Sequence, residues 1–186
     1  LPDKKAVRRN PKVIGVPRAF LSQGTDPDVL ARFEESLALL SAAGYEVRDI
    51  ELPAVPHSLA VYYIVMPAEA STNLARFDGV RFGLAVPGDH VLDTYKKTRG
   101  QGFGKEVRRR ILIGTYVLSS GYVDAYYRKA EAVRALIKND FARAFAEVDI
   151  IATPTSPTPA FKAGEKEDPL AMYAADIWTV PVNLAG

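Results

Sequence analysis

The sequence predicts an α/β fold built on mostly parallel strands, and three stretches carry that expectation. KVIGV (12–16) is a short apolar run closed by Pro17, and YEVRDIEL (45–52) alternates apolar with polar residues. Between them lies a segment with helical spacing. A strand, a helix and a strand in that order leave the two strands parallel, because a helical crossover returns the chain to the same end of the sheet. VDIIAT (148–153) reads as one more buried strand.

The first helix is framed at both ends. Asp26 stands where an N-cap belongs, with Pro27 at the first helical position, and Val29, Phe33, Leu37 and Leu40 recur at helical spacing until Gly44 stops the helix. A second helix follows Pro56 and carries SLAVYYIVMPAEASTNLARF. Residues 92–97 and 105–118 read as further helices, and 123–147 repeats apolar residues every three or four positions. TPTSPTPAF is a rigid, proline-rich loop, and 170–178 forms a last helical piece.

Composition limits the chemistry. The chain has 186 residues, 48% of them apolar, which is enough for a single domain over 1–186 with a substantial core. Its formal charge of +2 comes from 24 basic and 22 acidic residues spread along the chain, a balance unlike that of a nucleic-acid-binding domain. It contains no cysteine, so disulfides, thiolate zinc sites and a cysteine nucleophile are excluded. The two histidines, His57 and His90, lack metal-ligand spacing, and no metal centre is expected. No apolar run approaches the roughly 20 residues that span a bilayer, and no signal-peptide pattern is present, so a soluble protein without membrane association is expected. The chain opens on Leu1 and stops within the apolar TVPVNLAG, as though it were a piece of something larger.

Two charged residues stand in apolar company. In FGKEVRRRILIGTYVLSSGY, Val107, Ile111, Gly114 and Leu118 share one helical face, Arg109 points nearly opposite towards water, and Arg110 lies at the margin of the apolar stripe. A guanidinium at the edge of a core needs an anion, and its planar fork suits a bidentate carboxylate or phosphate. The ordinary alternative is a pair with Glu106 at i, i+4 on the same helix. In DPLAMYAADIWTVPVNLAG, Asp176 interrupts an apolar run, where an acid must be paired, capping or facing a ligand. A semi-buried arginine and a semi-buried aspartate together suit the α-carboxylate and α-ammonium of a free amino acid.

Several blocks carry a family resemblance: YYIVMPAEASTNLARFDGVRFG, TRGQGFGKEVRRRILIGTYVLSSGYVDAYY, ALIKNDF, VDIIATPTSPTPAF and DPLAMYAADIWTVPVNLAG. From about residue 12 to 186 the chain resembles the C-terminal half of the A subunit of the tRNA-dependent glutamyl (or aspartyl/glutamyl) amidotransferases, a branch of the amidase-signature family. The departures are two loops, each one residue shorter, after RFDGVRFG and near EKEDPL. The resemblance implies part of an amidase-signature α/β/α fold, with helices on both faces of a mixed, mostly parallel sheet.

It also implies a glutaminase subunit that releases ammonia from glutamine, in a cytoplasmic heterotrimer with subunits B and C. There the ammonia converts Glu-tRNA(Gln) to Gln-tRNA(Gln). ATP and Mg are expected at the partner subunit, with no cofactor bound by this chain. By motif, Arg110 matches the family's ligand for the glutamine carboxylate, Asp176 the acid that holds the α-amino group, and Tyr62 an aromatic residue lining the same pocket. The family's Ser-cis-Ser-Lys triad sits in a Gly/Ser-rich signature that this sequence lacks, so no catalytic residue is assigned and the chain alone is expected to be inactive. Ser119-Ser120-Gly121 lacks such surroundings and reads as a helix end. A stand-alone amidase-signature hydrolase and a noncatalytic binding or scaffold domain are the alternatives.

Overall fold

The computed structural model describes residues 12–21, 24–165 and 172–186. Within these the chain divides into two compact units. One comprises the described residues up to 59 together with those from 134 onward and holds the sheet; the other comprises 60–133 and is helical.

The sheet unit is organised around β1 (Val13–Val16), which pairs in parallel with β2 (Glu46–Asp49) on one side and β3 (Ile150–Ile151) on the other. Ile14 lies opposite both Val47 and Ile150, so β1 is the central strand of the order β2-β1-β3. The predicted parallel arrangement is thus present, with β3 limited to two residues. The Asp149 carboxylate accepts from the backbone N–H groups of Lys12 and Val13 at 2.9 and 3.0 Å, fixing where β1 begins relative to β3. Gly15 has no room for a side chain: a Cβ there would lie 2.9 Å from Val148 and 3.0 Å from Ile50.

Short helix α1 (Arg18–Leu21) follows β1, and α2 (Pro27–Ala42) makes the crossover to β2. Asp26 caps α2 as expected, its Oδ1 accepting from the Asp28 N–H at 2.8 Å, and Gly44 adopts the left-handed φ of 95° that ends the helix. The core gathers Ile14, Val16, Leu21, Leu37 and Trp178, with Phe20 edge-on to Trp178 at a centroid distance of 4.7 Å. Burying each such side chain contributes about 1.5–3 kcal/mol. Asp140, 4% exposed, accepts from the Ala54 N–H and from Arg143, so its buried charge is fully employed.

Helix α3 (Ser58–Asn73) passes from the sheet unit into the helical unit, and α6 (Lys129–Glu147) passes back. Between them lie α4 (Val91–Gly102) and α5 (Lys105–Val117), and both run close to the predicted spans, α4 extending further at each end. His90 caps α4 through Nδ1, which accepts from the Asp93 N–H at 3.2 Å, giving this histidine a structural role. The loop from 77 to 90 is tied to α4. Thr98 accepts from the Val86 N–H, Thr94 accepts from the Gly88 N–H, and Arg99 donates to the carbonyls of Leu74 and Phe77. Arg99 also lies over the rings of Tyr95 and Phe103, at 4.9 and 4.8 Å from their centroids.

The segment predicted as one helix over 123–147 is a π-helix at Val123–Arg128 followed by α6, because apolar spacing of three or four does not distinguish the two windings. The helical piece expected at 170–178 begins outside the described residues; its described end includes a 3-10 turn, Ala174–Asp176. The apolar tail forms α7 (Val180–Ala185), with Pro181 in its first turn. The shortened loop expected near EKEDPL also lies largely outside the described residues. Among the described residues no helix is long and apolar enough to cross a membrane, and no group of acidic and histidine side chains is gathered that could hold a metal ion.

Candidate functional site

Arg110 and Tyr62 both belong to the helical unit, and Asp176 belongs to the sheet unit. Helix α5 meets α3 in backbone contact. A Cβ built on Gly114 would sit 1.9 Å from the carbonyl oxygen of Pro67 and 2.8 Å from Ser71 Oγ, so only glycine permits this approach. Pro67 lies inside α3 and cannot donate to the carbonyl one turn earlier. Arg110 stands one turn before Gly114 on α5, and Tyr62 stands five residues before Pro67 on α3. At 1.5 Å of rise per residue, each is within about 8 Å of the crossing along its own helix axis.

Of the expected face of Val107, Ile111, Gly114 and Leu118, Gly114 is buried and Val107 and Ile111 are half-buried, whereas Leu118, at the end of the helix, is 37% exposed and Val117 is buried instead. Arg110, Gly114 and Val117 fall at i, i+4 and i+7, so Arg110 is on the packed side of α5, half-buried like Val107 and Ile111. Its side chain is one-third exposed. Nε is fully buried and has no hydrogen-bond partner among the described residues, while Nη2 lies 3.5 Å from Glu106 Oε1. The anticipated pairing with Glu106 is therefore present and leaves the inner donor of the fork unused. Arg109, expected to face water, also engages Glu106, at 3.2 Å, because i, i+3 and i, i+4 positions lie on the same side of a helix.

Tyr62 is half-buried, its ring edge-on to Tyr63 at 5.2 Å. Asp176 departs from the semi-buried position expected for it. It is exposed at the end of the 3-10 turn Ala174–Asp176, because the turn that sends Trp178 into the core directs residue 176 outward. Its backbone carbonyl accepts from the Thr179 N–H and hydroxyl, and its carboxylate has no partner among the described residues. Ser119 donates its hydroxyl to the Tyr116 carbonyl at 2.6 Å, which fits the helix-end reading of that serine pair.

Two features escaped sequence reasoning. Gly114 was legible only as a member of a helical face, although a glycine within ILIGTY is costly in a helix interior and hints at a close backbone approach. The other is an exposed ladder of tyrosines: Tyr116 and Tyr122 lie 4.4 Å apart and Tyr122 and Tyr126 6.0 Å apart between ring centroids. Hydrogen bonding between Tyr116 and Tyr122, with some desolvation, pushes the Tyr116 phenol up to about 12. The sheet unit has a cavity of about 360 Å³ lined by Phe20, Leu52, Val55, Phe141 and Phe145, with Lys138 as its one charged neighbour. That lining offers bulk but no convergent polar groups for chemistry.

The model of the amidase family matches residues 2–186. The chain belongs to the amidase family. It is 58% identical over 175 residues to the A subunit of the glutamyl-tRNA(Gln) amidotransferase of Acidobacterium capsulatum, covering 93% of this chain and 37% of that protein. The corresponding A subunit of Roseiflexus castenholzii is 56% identical over 174 residues, covering 93% of this chain and 36% of the relative. Among solved structures, the A subunit of the glutamyl-tRNA(Gln) amidotransferase of Thermotoga maritima superposes with a TM-score of 0.66 at 39% identity, covering 94% of this chain and 33% of that one. An amidase superposes with a TM-score of 0.70 at 25% identity, covering 94% and 36%. The chain thus spans a little over a third of the length of the curated relatives it matches, and its parallel sheet with surrounding helices is part of the amidase fold.

Proposed function

We propose that this chain supplies the amino-acid-binding side of a glutaminase subunit in a tRNA-dependent amidotransferase. The observation that carries the proposal is the buried, unpartnered Nε of Arg110 on the packed side of α5. A guanidinium so placed is costly unless an anion completes it, and a carboxylate accepts from Nε and an Nη together. The α-carboxylate of glutamine is that anion in this reading. Asp176, exposed and without a side-chain partner among the described residues, takes the α-ammonium, and Tyr62 provides an aromatic wall.

Binding both ends of the amino acid leaves its side-chain amide to a nucleophile. A serine activated through a second serine and a lysine, in a Gly/Ser-rich segment of the full-length protein, is proposed for that role. The nucleophile attacks the amide carbon, ammonia leaves, and water releases glutamate. The ammonia serves a partner subunit that activates Glu-tRNA(Gln) with ATP and Mg. The proposed setting is the cytoplasm, in a complex with subunits B and C, and the 186 residues are part of one larger amidase-signature domain. The likeness to a solved amidase at a TM-score of 0.70 favours a second reading, hydrolysis of an amide without partner subunits or tRNA.

In the full-length protein, in complex with its partners, Arg110→Lys keeps the charge but loses the fork. The KM for glutamine should rise at least tenfold, on the order of the 1.5–3 kcal/mol of a charge-assisted contact. Amidation driven by ammonium salts bypasses the pocket and should be nearly unaffected. Equal losses with both nitrogen donors would contradict the assignment. Efficient amide hydrolysis without partners or tRNA would favour the second reading.

A further inference from the structure

Arg108, Arg109 and Arg110 put three guanidinium groups in succession on α5, and a single carboxylate in the first turn, Glu106, serves two of them. Glu106 Oε2 lies 3.2 Å from Arg109 Nη1, and Oε1 lies 3.5 Å from Arg110 Nη2. Among the described residues Glu106 is the ionic partner of Arg110. A contact of 3.5 Å exceeds the roughly 2.7–2.9 Å of a charge-assisted hydrogen bond. It is a Coulombic hold on the outer end of the fork that leaves the buried Nε free.

We propose that Glu106 is a positioning residue for Arg110, holding the guanidinium at its Nη2 end so that the inner donor stays aimed at an incoming carboxylate. The inference rests on the reading of Arg110 as the glutamine-carboxylate ligand. The hold answers two physical needs. It offsets the charge of a guanidinium whose Nε is shielded from water, and it limits the rotamers of a long side chain that would otherwise lose conformational entropy when ligand binds. Glu106 also sits at the N-terminal end of α5, where a carboxylate is favoured by the helix dipole, so the tether is itself anchored. Competition between the two carboxylates is the opposite expectation. The long contact and the unused Nε argue against it, because the substrate need not displace Glu106.

The test uses the full-length protein in its assembled complex, with glutamine and ammonium chloride as alternative nitrogen donors. Glu106→Gln should raise the KM for glutamine about fivefold with kcat at saturating glutamine retained, and ammonium-supported amidation serves as the readout of an intact fold. Glu106→Asp, which keeps the charge on a shorter stem, should restore part of the loss. Arg109→Gln removes the other cation on Glu106 and should leave the KM within about twofold. If Arg110→Lys raises the KM and Glu106→Gln does not, the positioning role is wrong and the Arg110 assignment stands. If neither variant raises it, both fail. A lower KM in Glu106→Gln would identify Glu106 as a competitor and overturn the proposal. A parallel loss with both donors, in Glu106→Gln and Glu106→Asp alike, would mark a structural residue and do the same.

Discussion

The two units of this chain are held together by different balances of contacts. In the sheet unit, apolar side chains arriving at strand and helix periods meet in one core, with Ile14, Val16, Leu37 and Trp178 nearly inaccessible to solvent. In the helical unit Val61, Val65, Ala68, Val117 and Ala130 are buried too, and a backbone contact at Gly114 and the polar contacts of Thr98 and Arg99 are added to that packing. Its 74 residues carry eleven basic and seven acidic side chains, whereas acidic residues outnumber basic ones in the rest of the chain. The sheet unit is a scaffold whose interior consumes its information. Each unit also buries donors without a hydrogen-bond partner among the described residues, Trp178 Nε1 and Ser58 Oγ in the sheet unit and Arg110 Nε in the helical one, and of these only Arg110 carries a charge.

Trp178→Ala should break the sheet unit most severely, because it empties a core position that is 2% exposed and removes the partner of Phe20. The expected cost is about 3–5 kcal/mol, read from urea unfolding, with the first loss of hydrogen-exchange protection in β1 and β2. Protection lost first in α4 and α5 would show that the units are not separable in this way.

Gly114→Ala is the matching break in the helical unit. Alanine gains up to about 1 kcal/mol of helix propensity, but its methyl group would meet the Pro67 carbonyl, which cannot move aside as a side-chain tip could. A net loss of about 1–3 kcal/mol is expected, with exchange accelerated in α3 and α5 and β1 unchanged. A stabilised variant would mean that the helices do not touch there.

The smallest effect concerns the tyrosine ladder. The Tyr116 phenol titrates near 12 instead of its ordinary 10.0 because Tyr122 is hydrogen-bonded to it and favours the protonated form. A raised pKa stabilises the folded chain fully below pH 10.0, and that contribution fades as pH rises to about 12. Phenolate absorbance of Tyr122→Phe should show one group returning from about 12 towards 10.0, and an unchanged titration curve would contradict the pairing.

The contrast also explains what was legible in the sequence. The parallel strands, the Asp26 cap and the Gly44 stop follow from local patterns that the fold leaves undisturbed. The helices of the 60–133 unit were legible as elements, and Gly114 as a member of a face of α5, but not the backbone contact it makes, because a glycine carries no side chain to mark how closely a neighbour approaches. The π-helix at Val123–Arg128 and the brevity of β3 were hidden for a related reason: hydrogen-bond register is set by neighbours and not by residue type. Among the candidate site residues, Arg110 and Asp176 were visible as charged residues in apolar company. Their environments were less so: the buried Nε of Arg110 was not legible, and Asp176 is exposed.

The most direct test of the central claim, that the Arg110 fork grips the glutamine α-carboxylate, compares glutamine with L-glutaminamide, which has a neutral amide in place of that carboxylate. In the assembled full-length enzyme, kcat/KM should favour glutamine by about tenfold to a hundredfold, the worth of a hydrogen bond to a charged group. In Arg110→Lys that preference should shrink to a few-fold, since the lost fork and the lost carboxylate are halves of one interaction. A preference that survives Arg110→Lys undiminished would place the carboxylate elsewhere and contradict the account.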